Sequence, residues 1–165
     1  MASRDPLQFY LDKSSPETWK SVTRLSKSVG EEAQAAGLSK QLIELVNIRV
    51  SQLNGCAFCL DLHTRLAIKA GLSAQRLGAL PAWWEAESLY TVEERAALQL
   101  AEAITRISDI DSVIAAQLLA SNALDDAQYA AVQWVAMTMN LTNRISILSH
   151  HPVRPNADSR PALEE

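Results

Sequence analysis

The chain has 165 residues, 48% hydrophobic and 21% charged, with a formal net charge of -4 at pH 7. That length fits one domain with a real core, and the composition is globular rather than disordered. No lysine/arginine cluster offsets the negative balance, so the expectation is no nucleic-acid partner and no anionic membrane partner.

The opening residues, MASRDPLQFYLDKSSP, carry no apolar core behind positive charge and do not read as a secretory signal. The longest apolar stretch, about Ala130 to Leu141, is interrupted by Gln133, Thr138 and Asn140 and is too short and polar to span a bilayer. A cytoplasmic protein is expected, in which thiols stay mostly reduced.

Helix signals run the length of the chain and strand signals are nearly absent. Ser15-Pro16 reads as an N-cap with proline at the first helical position, opening a helix toward Ala36 and Gly37 that Gly30 weakens. Ser39 caps a second helix with Leu42, Leu45, Val46, Val50 and Leu53 at helical spacing, and Asn54-Gly55 stops it. A third starts near Cys56 and runs to Ala70, with Gly71 as its closing glycine. A short helix follows Ser73, and Pro81-Ala82-Trp83-Trp84 is a turn or a new helix start. Thr91 to Glu94 is a capping box for a helix to about Arg106. Another helix spans roughly Asp111 to Ala120. The last, from about Asp125 to Leu148, is apolar almost all round and is expected to be central. The predicted organisation is an N-terminal extension (1–15), a helical domain (16–150) and a polar, proline-rich tail (151–165), flexible or docked on a neighbouring subunit.

The only two cysteines form a Cys-x-x-Cys pair, Cys56 and Cys59, with His63 four residues later and Glu44 twelve residues before the first. If the segment is helical from Cys56 onward, Cys56, Cys59 and His63 lie within about 60° of one another at 100° per residue, close enough for a disulfide. A thiol in the first helical turn meets unpaired N–H groups and the positive end of the dipole, which favour thiolate. His63 can accept its proton, and Glu44 on the preceding helix can orient the imidazole. Two chemistries follow. A thiolate can attack a peroxide and leave a sulfenic acid that the second cysteine condenses into a disulfide. Alternatively the pair exchanges with another dithiol or disulfide. Either needs an external electron donor.

The pattern Glu44-x11-Cys56-x2-Cys59-x3-His63 resembles the motif of the AhpD-like alkylhydroperoxidases, within the carboxymuconolactone decarboxylase superfamily. The match is firm from about Leu42 to Gly71 and looser around TVEERAALQLAEAIT and NLTNRISI. The resemblance implies an all-α, AhpD-like helical bundle that assembles as a homo-oligomer (dimer, trimer or hexamer). It implies Cys59 as the peroxide-attacking thiol, Cys56 as the resolving partner, and proton-relay roles for His63 and Glu44. It implies a hydroperoxide substrate, no bound cofactor, and an external dithiol reductant such as protein-carried dihydrolipoamide. Where the best-characterised members hold a second histidine, just before the attacking cysteine, this chain has Phe58.

Alternatives are a disulfide oxidoreductase without peroxidase activity, a non-enzymatic redox-sensing oligomer, two buried structural thiols, and a zinc site built from the four motif residues. His150 and His151 read as cations suited to a helix C-terminus rather than a second base. Trp83 and Trp84 read as core or interface anchors. Asn140, Asn143 and Arg144 read as hydrogen-bonding groups between packed helices.

Overall fold

Capping chemistry decides where most of the helices begin. The computed structural model describes residues 9–155; the outer parts of the expected extension and tail, 1–8 and 156–165, lie outside the described residues. In chain order the helices are α1 (Leu11–Ser14), α2 (Pro16–Ala35), α3 (Lys40–Asn54), α4 (Ala57–Lys69), α5 (Ala74–Ala79), α6 (Val92–Thr105), α7 (Ile110–Ala123) and α8 (Asp126–Leu148). Two 3-10 turns, Leu80–Glu85 and Glu87–Leu89, link α5 to α6. Among the described residues there is no strand, so the all-α expectation is borne out. No described helix is long and apolar enough to cross a membrane.

The Ser39 hydroxyl accepts from the Leu42 N–H at 3.0 Å. Thr91 and Glu94 cap each other's backbone at 3.2 and 2.9 Å. Asp125 and Gln128 form a second such box for α8, at 2.8 and 3.2 Å. Ser15 is different: it stands at the N-cap position with φ -135 and ψ 66 but makes no side-chain cap. Its N–H instead closes α1 on the Leu11 carbonyl at 3.1 Å. Asp109, not a later residue, caps α7 by accepting from the Ser112 N–H at 3.2 Å.

Helix α3 is the centre of the packing, against α4, α6 and α8. Every residue from Leu45 to Ser51 is buried. One apolar cluster joins α2, α3, α6, α7 and α8 and includes both cysteines. A second, with Leu45, Ile48, Ala67, Leu80, Trp83 and Leu98, fills the other side of α3. Full burial of such a leucine or valine contributes about 1.5–3 kcal/mol. Helix α8 packs on α2, α3 and α6 yet keeps Trp134, Met137, Leu141 and Leu148 exposed. It is central by contact, as expected, while those side chains leave one face uncovered.

The corner between α3 and α4 is a Schellman closure. The Gly55 N–H donates to the Gln52 carbonyl at 3.3 Å and the Cys56 N–H to the Ser51 carbonyl at 3.0 Å. That pattern needs a left-handed residue, and Gly55 supplies it with φ 70 and ψ 30. A Cβ on Gly55 would meet nothing within 4 Å, so the cost of Gly55→Ala is confined to the backbone. Forcing an L-residue there costs about 1–2 kcal/mol, offset by about 0.4–1 kcal/mol from a stiffer unfolded chain. Thermal denaturation should place the variant about 1–4 °C below the wild type. Equal melting would show that the corner is not held by the glycine.

Candidate active site

Cys56 does two jobs at that corner. Its N–H closes α3, and its side chain caps α4, with Cys56 Sγ accepting from the Cys59 N–H at 3.4 Å. It is extended, at φ -85 and ψ 93, so it precedes α4 rather than beginning it. Cys59 follows one turn on and is also buried. Both cysteines are free thiols.

On the neighbouring face Glu44 from α3 meets His63 from α4, with Oε2 2.7 Å from Nδ1. Both side chains are largely buried, at 15% and 13% exposure. The carboxylate fixes the ring and leaves Nε2 as its remaining site for proton exchange. The structure thus brings Glu44 to His63 and Cys56 to Cys59. Among the described residues no hydrogen bond joins His63 to either cysteine; its ring is held by Glu44, and the Cys59 N–H by the Cys56 sulfur. The four motif residues do not converge as a metal-binding set: among the described residues no group of three or more His, Cys, Asp or Glu is arranged to hold a metal ion.

A cavity of about 940 Å³ opens onto Cys59 and His63, walled by α1, α2, α3, α4, α8 and the segment after α8. Cys59 lines it; Cys56, 2% exposed, lies behind. Burial first, then the hydrogen bond and charge of Cys56, push the Cys59 thiol up to about 12, while Asn143 and Ser146 pull the other way. At that value only about 1 thiol in 100,000 is ionised at pH 7. A reaction at Cys59 therefore needs a base in place.

Asn143 is fully buried. Its Oδ1 accepts from Asn54 Nδ2 at 3.0 Å and its Nδ2 donates to Ser51 Oγ at 3.1 Å. Asn140 accepts from the same Asn54 amide at 3.0 Å and from Arg144 at 2.8 Å. Asn140 and Asn143 thus bond between packed helices, as expected. Trp83 is buried and donates to Glu102 at 2.7 Å, whereas Trp84 is half exposed beside Arg49. Neither lines the cavity.

Sequence reasoning missed Asp12, Ser146 and the part played by His151. The His151 side chain folds back on the last turn of α8. Its ring pairs with Ser146 Oγ at 3.2 Å and with Asp12 Oδ1 at 3.4 Å, and it packs against Phe58 with centroids 5.3 Å apart. The one available signal was the short spacing from Ser146 to His151.

Residues 16–103 match the Carboxymuconolactone decarboxylase family, and the chain belongs to that family, in its AhpD-like branch. It is 40% identical over 112 residues to the uncharacterized protein YdfG of Bacillus subtilis, covering 68% of this chain and 76% of that one. A shorter stretch of 37 residues is 46% identical to the alkyl hydroperoxide reductase AhpD of Coxiella burnetii, covering 22% of this chain and 21% of the other. A crystal structure from Agrobacterium tumefaciens, of a protein of unknown function described as an antioxidant-defence AhpD, superposes with a TM-score of 0.79. It is 31% identical and covers 90% of this chain and 99% of its own.

The two Cys56 contributions to the Cys59 thiol disappear in Cys56→Ala, while burial remains. Iodoacetamide labelling of Cys59, followed by mass, should show its half-point moving down from about 12 but staying above that of an ordinary thiol. Labelling at pH 9 should be on the order of tenfold faster than in the wild type, about one pKa unit's worth. Unchanged labelling would mean that burial alone holds the proton.

Proposed function

We propose that this protein is a thiol-dependent peroxidase that reduces hydroperoxides at Cys59. The observation that carries this reading is access: Cys59 and His63 face a cavity of about 940 Å³, and Cys56 sits directly behind Cys59. A cavity of that size has room for an organic hydroperoxide.

In the reaction, Cys59 gives up its proton and the thiolate attacks the terminal peroxide oxygen. The O–O bond breaks, sulfur is oxidised to sulfenic acid and an alkoxide leaves, taking a proton to become the alcohol. The Cys56 sulfur then attacks the Cys59 sulfenic acid, releasing water and forming the Cys56–Cys59 disulfide. An external dithiol, for which protein-carried dihydrolipoamide is our candidate, takes the disulfide back to two thiols. Glu44 holds the His63 imidazole on the cavity wall, placed to hydrogen-bond the bound peroxide and steady its departing oxygen. No bound cofactor enters this scheme, and a resting dithiol fits a cytoplasmic setting.

We also read the protein as a homo-oligomer. Exposed Ile110, Ile114 and Leu118 on one face of α7 and Trp134, Met137 and Leu141 on one face of α8 support that reading.

The test is consumption of an organic hydroperoxide by the reduced protein with dihydrolipoamide as donor. Turnover is expected, lost in Cys59→Ser and reduced about 10²–10⁴-fold in His63→Gln. Cys56→Ser should stop after one equivalent, with Cys59 trapped as sulfenic acid. No hydroperoxide consumption would overturn the proposal. Reduction of a disulfide substrate without peroxide turnover would replace it with a disulfide oxidoreductase. A single oxidation that changes assembly without turnover would replace it with a redox-sensing oligomer.

A further inference from the structure

The turn after α8 is an unusual piece of backbone. The His150 N–H donates to the Ile147 carbonyl at 3.0 Å and the His151 N–H to the Ser146 carbonyl at 3.2 Å. This is the same Schellman closure that glycine makes at the α3–α4 corner, but here the left-handed position is His150, with φ 48. Non-glycine residues enter that region seldom and at a cost. The result is that His151 folds back over the last turn of α8, onto Ser146.

Ser146 is buried, lines the same cavity as Cys59, and its hydroxyl favours the Cys59 thiolate. His151 Nδ1 lies 3.2 Å from Ser146 Oγ, and Nε2 lies 3.4 Å from Asp12 Oδ1. The ring is clamped between Tyr10, stacked at 5.9 Å and 14°, and Phe58, tilted at 5.3 Å and 59°. The Leu11 N–H donates to Ser149 Oγ at 3.1 Å and ties the Asp12 segment to the end of α8. Cys59, Ser146, His151 and Asp12 all line the same cavity.

We infer that His151, held by Asp12 and acting through the Ser146 hydroxyl, is the proton acceptor for Cys59. This rests on the reading of Cys59 as the reacting thiol. In the step, the Cys59 S–H bond breaks and its proton passes to Ser146 Oγ. The serine proton passes to His151 Nδ1, and Nε2–H donates to Asp12. The products are a Cys59 thiolate and a His151 imidazolium facing the Asp12 carboxylate, with no net change in protons or electrons. When a peroxide is cleaved, the imidazolium proton goes to the departing alkoxide. His151 packs against Phe58, the residue next to Cys59, and supplies from the turn after α8 an imidazole that α4 does not carry there. The other charged groups on this cavity are Lys13, Asp61, Arg65 and Arg154, with His63 as the other imidazole; all are retained in the variants below.

The test uses the reduced full-length protein and two reactions, because only one of them depends on peroxidase activity. Iodoacetamide labelling of Cys59 reports thiolate formation whether or not the protein turns over peroxide. At pH 7, His151→Ala and His151→Gln should both label at least about tenfold more slowly than the wild type. The three rates should converge at high pH, where hydroxide removes the proton. Added imidazole should accelerate His151→Ala and leave the wild type unchanged. In the peroxide reaction, the first oxidation of Cys59 should fall about 10²-fold in His151→Ala, again recovering with imidazole. Asp12→Asn should show a smaller loss of the same kind. Wild-type labelling by His151→Gln at pH 7 would overturn the inference, since glutamine retains a polar contact but cannot take the proton. So would a slow His151→Ala that imidazole does not rescue. Failure of the wild type to react with peroxide, with the labelling pattern intact, would overturn the peroxidase reading and leave the relay standing.

Discussion

The Ser51–Cys56 closure is the constraint on which the site depends. One 3.0 Å hydrogen bond from the Cys56 N–H to the Ser51 carbonyl ends α3, and the same cysteine's sulfur then caps α4. The corner therefore fixes two things together: the angle at which α4 leaves α3, and the position of one sulfur at the start of α4. Glu44 and His63 stand on opposite sides of that corner, so their 2.7 Å contact is inherited from it. The Asn54 side chain, one residue before the glycine, donates to Asn140 and Asn143. The corner is thus pinned to α8 as well as to its own helices. Leaving the buried Asn143 amide unpaired costs about 1–3 kcal/mol, which makes the junction a three-helix unit rather than a simple turn.

Burial creates the chemical problem that the polar groups address. The apolar cluster that holds the fold together also includes Cys56 and Cys59, and desolvation opposes the anion that attack on a peroxide requires. Asn143 and Ser146 act in the opposite sense, yet the thiol still sits at about 12. Hydrogen bonding alone does not free the proton. A buried thiol with a high pKa is also protected from casual oxidation, because the thiolate is the reactive form. The arrangement favours a thiol that stays quiet until a base and a substrate are both present.

The parts of this site that were legible in the sequence are the parts separated by short spacings. Cys56, Cys59 and His63 lie within two turns of one another, and Glu44 lies on the helix that leads into them. Helical periodicity and the Asn54-Gly55 stop suffice to place them on adjoining helices. Ser146, Asn143, His151 and Asp12 were not legible in the same way. The Asp12–His151 contact joins residues 139 positions apart, and Asn143–Ser51 joins residues 92 apart. Such pairs depend on how α8 crosses α3, which no local pattern encodes. His150 adds a second obstacle. Without a glycine at the end of α8, the sequence carries no sign of a left-handed turn, and His151 reads as a terminal cation instead of a residue folded back on the helix.

Phe58 takes on a different meaning in this setting. Taken as a sequence position, it marks the absence of a histidine beside Cys59. In the structure its half-exposed ring is one wall of the cleft that holds His151, opposite the Tyr10 ring. A histidine at position 58 would replace that apolar wall with a polar ring next to the His151 imidazole, where two cations would repel. An aromatic at 58 and a histidine at 151 are therefore compatible, whereas two imidazoles in that space would each oppose protonation of the other. The cleft has room for one charged ring, and the α8 closure places it beside Ser146 and Asp12, the groups that can use it.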